Sequence, residues 1–339
     1  MTGEIIVSVV MPVYNEEKYI EQCIDSLLLQ DYPQEKMEWI FVDGCSTDQT
    51  VAILNSYQDK YPQLIKVFNN PDKIVPYAMN IGIAASSGKY IVRLDAHADY
   101  ATDYISKCIY YLETIDADNV GGVAETKANG FMGNAIAKML SSKFGVGNSQ
   151  FRTNGESGYV DTVPFGAFKR EVFSKYGGYD ERLVRNQDNE MNFRIRKNGG
   201  KIYLANDIRL SYYCRDSING IAAMAKKNGM WNIITMKLCP GSMGLRHFIP
   251  FLFVASILGL GALGFIHSIF WMLLGLEMAL YLLLNLLFSV KQATGLKEFF
   301  ALMILFPIFH VAYGLGSMTG IVKLFSKEFK RDNYVNKKI

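Results

Sequence analysis

Charge is what this 339-residue sequence lacks over long stretches. Between Arg246 and Lys291 the one acidic or basic residue is Glu277, and between Glu298 and Lys323 there is none. Runs of about 20 uncharged residues are what a bilayer demands of a spanning helix, so an ordinary water-soluble enzyme is excluded. The five cysteines (Cys23, Cys45, Cys108, Cys214, Cys239) form no C-x-x-C or C-x-x-H pair, which argues against a structural zinc site or a disulfide framework and for a reducing, cytoplasmic setting. A basic excess is missing too. Of 35 basic and 32 acidic residues, 8 and 4 lie beyond residue 247, so the preceding part is close to balance and slightly acidic. No Lys/Arg run there interleaves with aromatics, and no nucleic-acid partner is expected. The N-terminus has no basic n-region and its apolar run is broken at Pro12, so it reads as a strand rather than a signal peptide.

What is present first is alternation. Residues 5–11 read as a buried strand, and Asn15 as the N-cap of a helix with Ile20, Cys23, Ile24, Leu27 and Leu28 on one face. Strands are expected at 38–42, 64–68 and 90–94, with helices to about Lys60 and through 78–85. This β/α alternation predicts an α/β fold, a mostly parallel sheet with helices on both faces. Ligands of such sheets bind beyond the carboxyl ends of the strands, where MPVYNEE, VDGCSTD and RLDAHADY stand. The glycine-rich stretch 119–169 reads as loops over that crevice, 188–197 as a helix and 201–204 as a short strand. Residues 216–237 read as a helix lying at the bilayer surface.

Asp95 and His97 are one residue apart at a strand end, so period-two geometry aims both at one point, with Asp99 as a further candidate. A carboxylate and an imidazole begin a divalent-metal site, and the imidazole favours Mn²⁺ over Mg²⁺. His97 is also the one histidine outside the uncharged region, since His247, His267 and His310 lie in or beside it. Asp43, at a strand end, can accept from a nucleobase N–H or a ribose hydroxyl, whereas Asp48 reads equally as an N-cap. Asp188 and Glu190 fall in the first turn of a helix, where acidic residues also suit the dipole. Arg194 and Arg196 are surface charges or a contact to donor phosphates.

The stretches VSVVMPVYNEEKYIEQCIDSLLLQ, IFVDGCSTDQT, KIVPYAMNIGIAASSGKYIVRLDAHADY, PFGAFKREVFSKYGGYDERLVRNQDNEMNFRIRKNGGKIYL and YYCRDSINGIAAMAKKNGMW, in that order, resemble a family 2 glycosyltransferase of the GT-A fold, within it the succinoglycan-biosynthesis ExoA-like branch. The resemblance covers about residues 5–235. It implies that Pro12, Tyr14, Glu16 and Asp43 line a nucleotide pocket, with Asp43 on the base. It places Asp95 at the first carboxylate of the D-x-D motif, which holds a divalent ion against the nucleotide diphosphate, and His97 at the second. Asp188 matches the general base of inverting members, although the preceding Glu of that motif is Gln187 here. Gly166 would sit beside the acceptor, with Glu190 nearby. The Q-x-x-R-W signature of processive synthases is missing, with Met224, Lys227 and Trp231 in roughly that region, so addition of one sugar is expected rather than chain extension.

Residues 248–266 and 268–290 are each long enough to span and form a tight hairpin, in which Glu277 and Asn285 should face protein. The third apolar stretch, 299–322, carries Pro307 and GLGSMTG. Three crossings from a cytoplasmic enzyme domain would leave the basic tail outside, against the positive-inside rule. Either the third segment is re-entrant or interfacial, broken at Pro307, or that rule is violated; the broken segment is the expectation. The expected organisation is a GT-A catalytic domain at 1–215, interfacial helices at 216–245, membrane or re-entrant helices at 246–325 and a basic tail at 326–339. The expected protein is a multi-pass enzyme of the cell membrane with a cytoplasmic catalytic domain. It would transfer a sugar, from a UDP-sugar donor, to a polyprenyl-linked glycan. A polyprenyl-phosphate sugar synthase and a non-catalytic membrane scaffold that keeps the fold are the alternatives.

Overall fold

The computed structural model describes residues 4–153, 155–326 and 329. They divide into two compact units: one holds the described residues up to Glu125 and from 155 to Tyr212, the other those from Thr126 to Thr153 and from Tyr213 onward. Residues 126–153, expected within the catalytic domain, thus group with the C-terminal helices.

In the first unit, β1 (Val7–Val13), β2 (Met37–Asp43) and β3 (Ile65–Asn69) run parallel, with α1 (Ile20–Leu28) and α2 (Thr50–Lys60) as crossovers. After α3 (Val75–Ala85), β4 (Tyr90–Arg93) joins the other side of β1, also parallel. Then follow β5 (Ala98–Tyr100), α4 (Tyr104–Thr114) and β6 (Asn119–Lys127). The helices α5 (Gly130–Leu140) and α6 (Lys143–Val146) intervene before β7 (Gly158–Tyr159), β8 (Ala167–Lys169), α7 (Glu171–Tyr176), α8 (Gln187–Lys197) and β9 (Ile202–Tyr213). The sheet order is β3-β2-β1-β4-β8-β6-β9-β5, with β7 beside β9. Pairings of β8 with β4 and β6, and of β9 with β5 and β7, are antiparallel, so the sheet is mixed. Its parallel centre is covered on both faces, which is why β1 and β2 are almost continuously apolar and buried.

Register places Val13 opposite Asp43 and Asp43 opposite Asn69, so the turns after β1 and β2 leave the same edge side by side. Toward the opposite edge, Glu38 of β2 lies beside Ser8 and accepts from the hydroxyls of Ser8 (2.7 Å) and Ser87 (2.8 Å) and from Lys66 (2.6 Å). Burial alone would raise the Glu38 carboxyl, but these donors hold it down at about 2.

The apolar face expected of α1 is the buried one, but its N-cap is Tyr19; Asn15 has φ 53° and belongs to the preceding turn. The region 119–169 corrects the expectation of loops. Several of its glycines are close-packing positions: a Cβ on Gly122 would lie 2.2 Å from the Ile208 carbonyl oxygen, and one on Gly121 2.7 Å from Val163 Cβ. Glycine there permits a strand against its neighbours rather than interrupting one. The short strand expected at 201–204 is the start of a twelve-residue strand, β9.

In the second unit, α9 (Ile218–Leu238), α10 (Ile249–Gly264), α11 (Ile269–Gln292) and α12 (Leu296–Phe325) join α5 and α6. Leu245–Gly264, Ile269–Gln292 and Leu296–Phe325 are long and apolar enough to cross a membrane. The expected hairpin is present as α10 and α11, and Asn285 is turned inward, donating to the Met303 carbonyl (2.9 Å). Glu277 accepts from Ser256 (2.5 Å) across the hairpin. The third segment is not broken: Pro307 lies inside a continuous 30-residue helix. Its glycines serve close packing, because Gly316 and Gly320 approach the Lys226 and Met230 carbonyls of α9, and Ser317 donates to the Gly229 carbonyl (3.2 Å). The ring of Phe144 from α6 packs among Phe288, Phe306 and His310, whose Nε2 bonds the Phe144 carbonyl (2.9 Å). The expected basic tail lies outside the described residues.

Candidate active site

The turns after β1 and β2 form one wall. Asn15 and Cys45 both take positive φ (53° and 60°), the conformation that folds each turn back on the other. Asn15 N donates to Ser46 Oγ (2.8 Å), Thr47 N to Asn15 Oδ1 (2.8 Å), Glu16 N to Thr50 Oγ1 (2.7 Å), and Gln49 N to Glu17 (3.0 Å). Asp48 accepts from Thr50 N (3.0 Å) and Glu17 N (3.2 Å) and so braces the two turns, but the N-cap of α2 is Gln49, not Asp48. Asp43, 6% exposed, accepts from Ser46 N (3.0 Å) at the base of this wall. Tyr14 is exposed, its ring against Gly44, and Pro12 is half-buried within β1.

Beyond β4 the chain carries Asp95 and His97. Asp95 is fixed through its backbone, whose N–H donates to Tyr100 Oη (2.8 Å) while that hydroxyl donates to its carbonyl (3.0 Å). His97 uses both ring nitrogens: Nδ1 meets Glu16 Oε1 (3.0 Å) and Nε2 meets Tyr212 Oη (3.1 Å). Burial pulls the imidazole down, but Tyr212, Glu16 and Asp95 together push it up to about 10. Glu16 is thereby committed to His97. Asp99 points elsewhere, accepting from Gln22 (2.6 Å).

Arg93, the last residue of β4, is the side chain that sequence reasoning missed. It is 5% exposed, donates from one terminal nitrogen to Asp188 and from the other to Asp95 (3.3 Å), and lies over the ring of Phe165. It joins two carboxylates that are 93 positions apart in sequence. One signal was available, a lone arginine at the end of an apolar strand run, since a buried charge needs partners. Asp188 stands in the first turn of α8, after Asn186 at φ 64°. Burial pushes its carboxyl up from the ordinary value, and Arg93 pulls it down. One carboxylate oxygen faces Arg93, and the other has no hydrogen-bond partner among the described residues.

The remaining expected residues are placed as follows. A Cβ on Gly166 would lie 2.0 Å from Asn119 Oδ1, and its carbonyl accepts from Arg93 N (3.0 Å), so this glycine lets β8 close on the strands that carry Arg93 and Asn119. Glu190 is buried and pairs twice with Arg194 (2.9 and 2.8 Å). Arg194 also donates to the Tyr176 and Gly178 carbonyls, so both side chains are engaged in holding α8 to the segment after α7. Arg196 is exposed and donates to the Asp161 carbonyl (3.0 Å). Asn80 of α3 is a further clamp unnoticed in the sequence: it bonds Tyr179 N (2.8 Å) and the Tyr179 carbonyl (2.9 Å).

For a divalent ion the residues fit in part. Asp95 keeps one carboxylate oxygen without a partner among the described residues, whereas His97 has no free nitrogen. No group of three His, Cys, Asp or Glu side chains able to hold a metal occurs among the described residues. Among the described residues Asp95 could offer a carboxylate oxygen to a cation, with the remaining ligands coming from a bound molecule or water.

The family model described as "Glycosyl transferase family 2" matches residues 8–177, half of the chain and every strand and turn of the wall described above. The chain belongs to glycosyltransferase family 2. Among curated members it is 27% identical to the Methanococcus voltae dolichyl N-acetyl-alpha-D-glucosaminyl phosphate 3-beta-D-2,3-diacetamido-2,3-dideoxy-beta-D-glucuronosyltransferase, over 94% of this chain and 97% of that one. It is 29% identical to succinoglycan biosynthesis protein ExoA of Rhizobium meliloti, over 61% of this chain and 63% of that protein. Among solved structures, mannosyltransferase PcManGT from Pyrobaculum calidifontis, in complex with GDP-Man and Mn²⁺, superposes with a TM-score of 0.63 at 19% identity, covering 94% of this chain and 88% of that one. This family 2 enzyme therefore has the GT-A fold expected from its motif order.

Proposed function

We propose that this family 2 glycosyltransferase moves one sugar from a nucleoside-diphosphate donor, a UDP-sugar, to a hydroxyl of a polyprenyl-phosphate-linked glycan, with inversion at the anomeric carbon. The observation that carries the reading is the placement of Asp188: one oxygen is held by Arg93, which also holds Asp95, and the other has no partner among the described residues. Asp43, with Pro12 and Tyr14 beside it, takes the nucleoside. Asp95 would hold a divalent ion, Mn²⁺ before Mg²⁺, and His97 with Glu16 fixes the segment that carries Asp95. Bound there, the ion supplies Lewis-acid stabilisation of the departing diphosphate. Asp188 receives the acceptor's proton as its oxygen attacks the face of the sugar opposite the leaving group. Raising the Asp188 carboxyl by burial strengthens it as a base. The acceptor chemistry is supported by the dolichyl phosphate in the name of the Methanococcus relative and by three helices apolar enough to cross a bilayer. In this reading the enzyme is a multi-pass protein of the cell membrane with its catalytic unit in the cytoplasm.

Asp188→Asn tests this. Full-length enzyme in membranes, given labelled nucleotide sugars and lipid-linked acceptors with and without Mn²⁺, should lose transfer by about 10²-fold or more while nucleotide binding persists. Undiminished transfer by Asp188→Asn to a polyprenyl phosphate itself would replace this reading with a polyprenyl-phosphate sugar synthase, whose acceptor is already ionised.

A further inference from the structure

The glycine seam between α9 and α12 opens along one side into a cleft of about 660 Å³. Ala222, Ala223 and Lys226 of α9 and Leu315, Met318 and Val322 of α12 are prominent in its lining. Alanines leave the floor unfilled, and the rim is apolar yet exposed, Leu315 by 45% and Val322 by 71%. No acidic residue lines it, and the Lys226 ammonium makes no hydrogen bond or ion pair among the described residues. The α12 wall from 312 to 322 rises about 1.5 Å per residue, so the cleft runs for roughly 15 Å. An open apolar channel of that length, on a helix apolar enough to cross a bilayer, matches a hydrocarbon chain rather than a sugar or a nucleotide. Its one unpaired cation calls for one anion.

We infer that this cleft receives the phosphate-proximal isoprenoid segment of a polyprenyl phosphate, with Lys226 against the phosphate. The inference rests on the proposed lipid-linked acceptor and deepens it by assigning the lipid's own site. A polyprenyl phosphate joins one methyl-branched chain directly to one anionic group, and the alanine floor and single lysine answer both features. Occupancy by an ordinary membrane phospholipid is the competing outcome.

The test uses the full-length protein in phosphatidylglycerol nanodiscs and a diazirine-tagged polyprenyl phosphate. Crosslinks are expected in the peptides of α9 and of residues 312–322, suppressed by excess untagged polyprenyl phosphate but not by added phosphatidylglycerol. Lys226→Gln, a change at an exposed position, should lower this labelling roughly tenfold, the size of one charge-assisted hydrogen bond. Ala222→Leu with Ala312→Leu should block it by filling the cleft. Lys226→Gln should also raise KM for long-chain and short-chain lipid phosphate acceptors alike, whereas Ala222→Leu with Ala312→Leu should raise it for the long-chain acceptor alone. Labelling outside the cleft, equal competition by phosphatidylglycerol, or unchanged labelling of Lys226→Gln overturns the inference. If sugar transfer to the lipid-linked glycan persists in those cases, the acceptor reading survives without the cleft. Cleft labelling in a protein that transfers no sugar has the opposite meaning.

Discussion

Arg93 binds Asp188 with one terminal nitrogen of its guanidinium and Asp95 with the other, so the end of β4 and the start of α8 are held by one buried cation. A planar fork can do this; an ammonium is a point charge and satisfies one partner at a time. Arg93→Lys should therefore keep the fold and misplace Asp188. The expected result is a fall in kcat of roughly 10- to 100-fold, with donor KM moved much less. Initial rates at several donor concentrations check the split, and a KM effect larger than the kcat effect would move Arg93 to donor binding.

Asp43 carries a separable load. Its carboxylate already accepts from Ser46 N and supports the turn that meets Asn15. Asp43→Ala should weaken nucleotide binding by about tenfold, consistent with loss of one hydrogen bond to a charged acceptor. Titration calorimetry with UDP reads this directly, and unchanged affinity would remove Asp43 from the nucleotide pocket.

Glu38 makes a prediction about pH. Its folded carboxyl sits near 2, below its ordinary value of 4.5, because Lys66, Ser8 and Ser87 favour the ionised form. A depressed carboxyl contributes stability that is complete above about pH 4.5 and disappears as pH falls toward 2. The contribution is on the order of 3 kcal/mol at neutral pH. Glu38→Gln should lower the urea midpoint at pH 7 and approach wild type near pH 2 to 3; a deficit independent of pH would mean that packing, not charge, is at stake.

The α9–α12 seam predicts a contrast between glycines. A Cβ on Gly316 would lie 2.1 Å from the Lys226 carbonyl oxygen, whereas one on Gly275 of α11 meets nothing within 4 Å. Gly316→Val should destabilise the second unit by about 1 to 3 kcal/mol, as overpacking does. Gly275→Val is the neutral control. Thermal scanning of both detergent-solubilised variants should separate them, and equal behaviour would count against the close seam.

The legible parts of the fold were those governed by local pattern. Parallel strands buried on both faces, such as 7–13 and 37–43, read as apolar runs, and their terminal Asp43 and the nearby Asp95 announce a crevice by position alone. The resemblance singled out Asp188 but not its partner, because Arg93 reaches it across 95 positions of sequence. Glycine misled twice. Gly121 and Gly122 suggested a loop, and GLGSMTG a break, since sequence alone does not distinguish a glycine needed for backbone freedom from one needed for close approach. Pro307 was overweighted for a related reason: packing against neighbouring helices sustains a helix through a proline. Glu190 and Arg194 resembled site residues because charge near a helix start has two uses, and here they satisfy each other.

The crossed hydrogen bonds between residues 15–17 and 46–50 have a thermodynamic consequence for the donor. Loops that close over a nucleotide usually surrender conformational entropy at the moment of binding. Here the positive φ of Asn15 and Cys45 and the shared bonds set that geometry during folding. At the proposed nucleoside site, recognition would be docking against a finished surface, and discrimination between bases would fall to the fit of rigid groups rather than to the selective ordering of a flexible one.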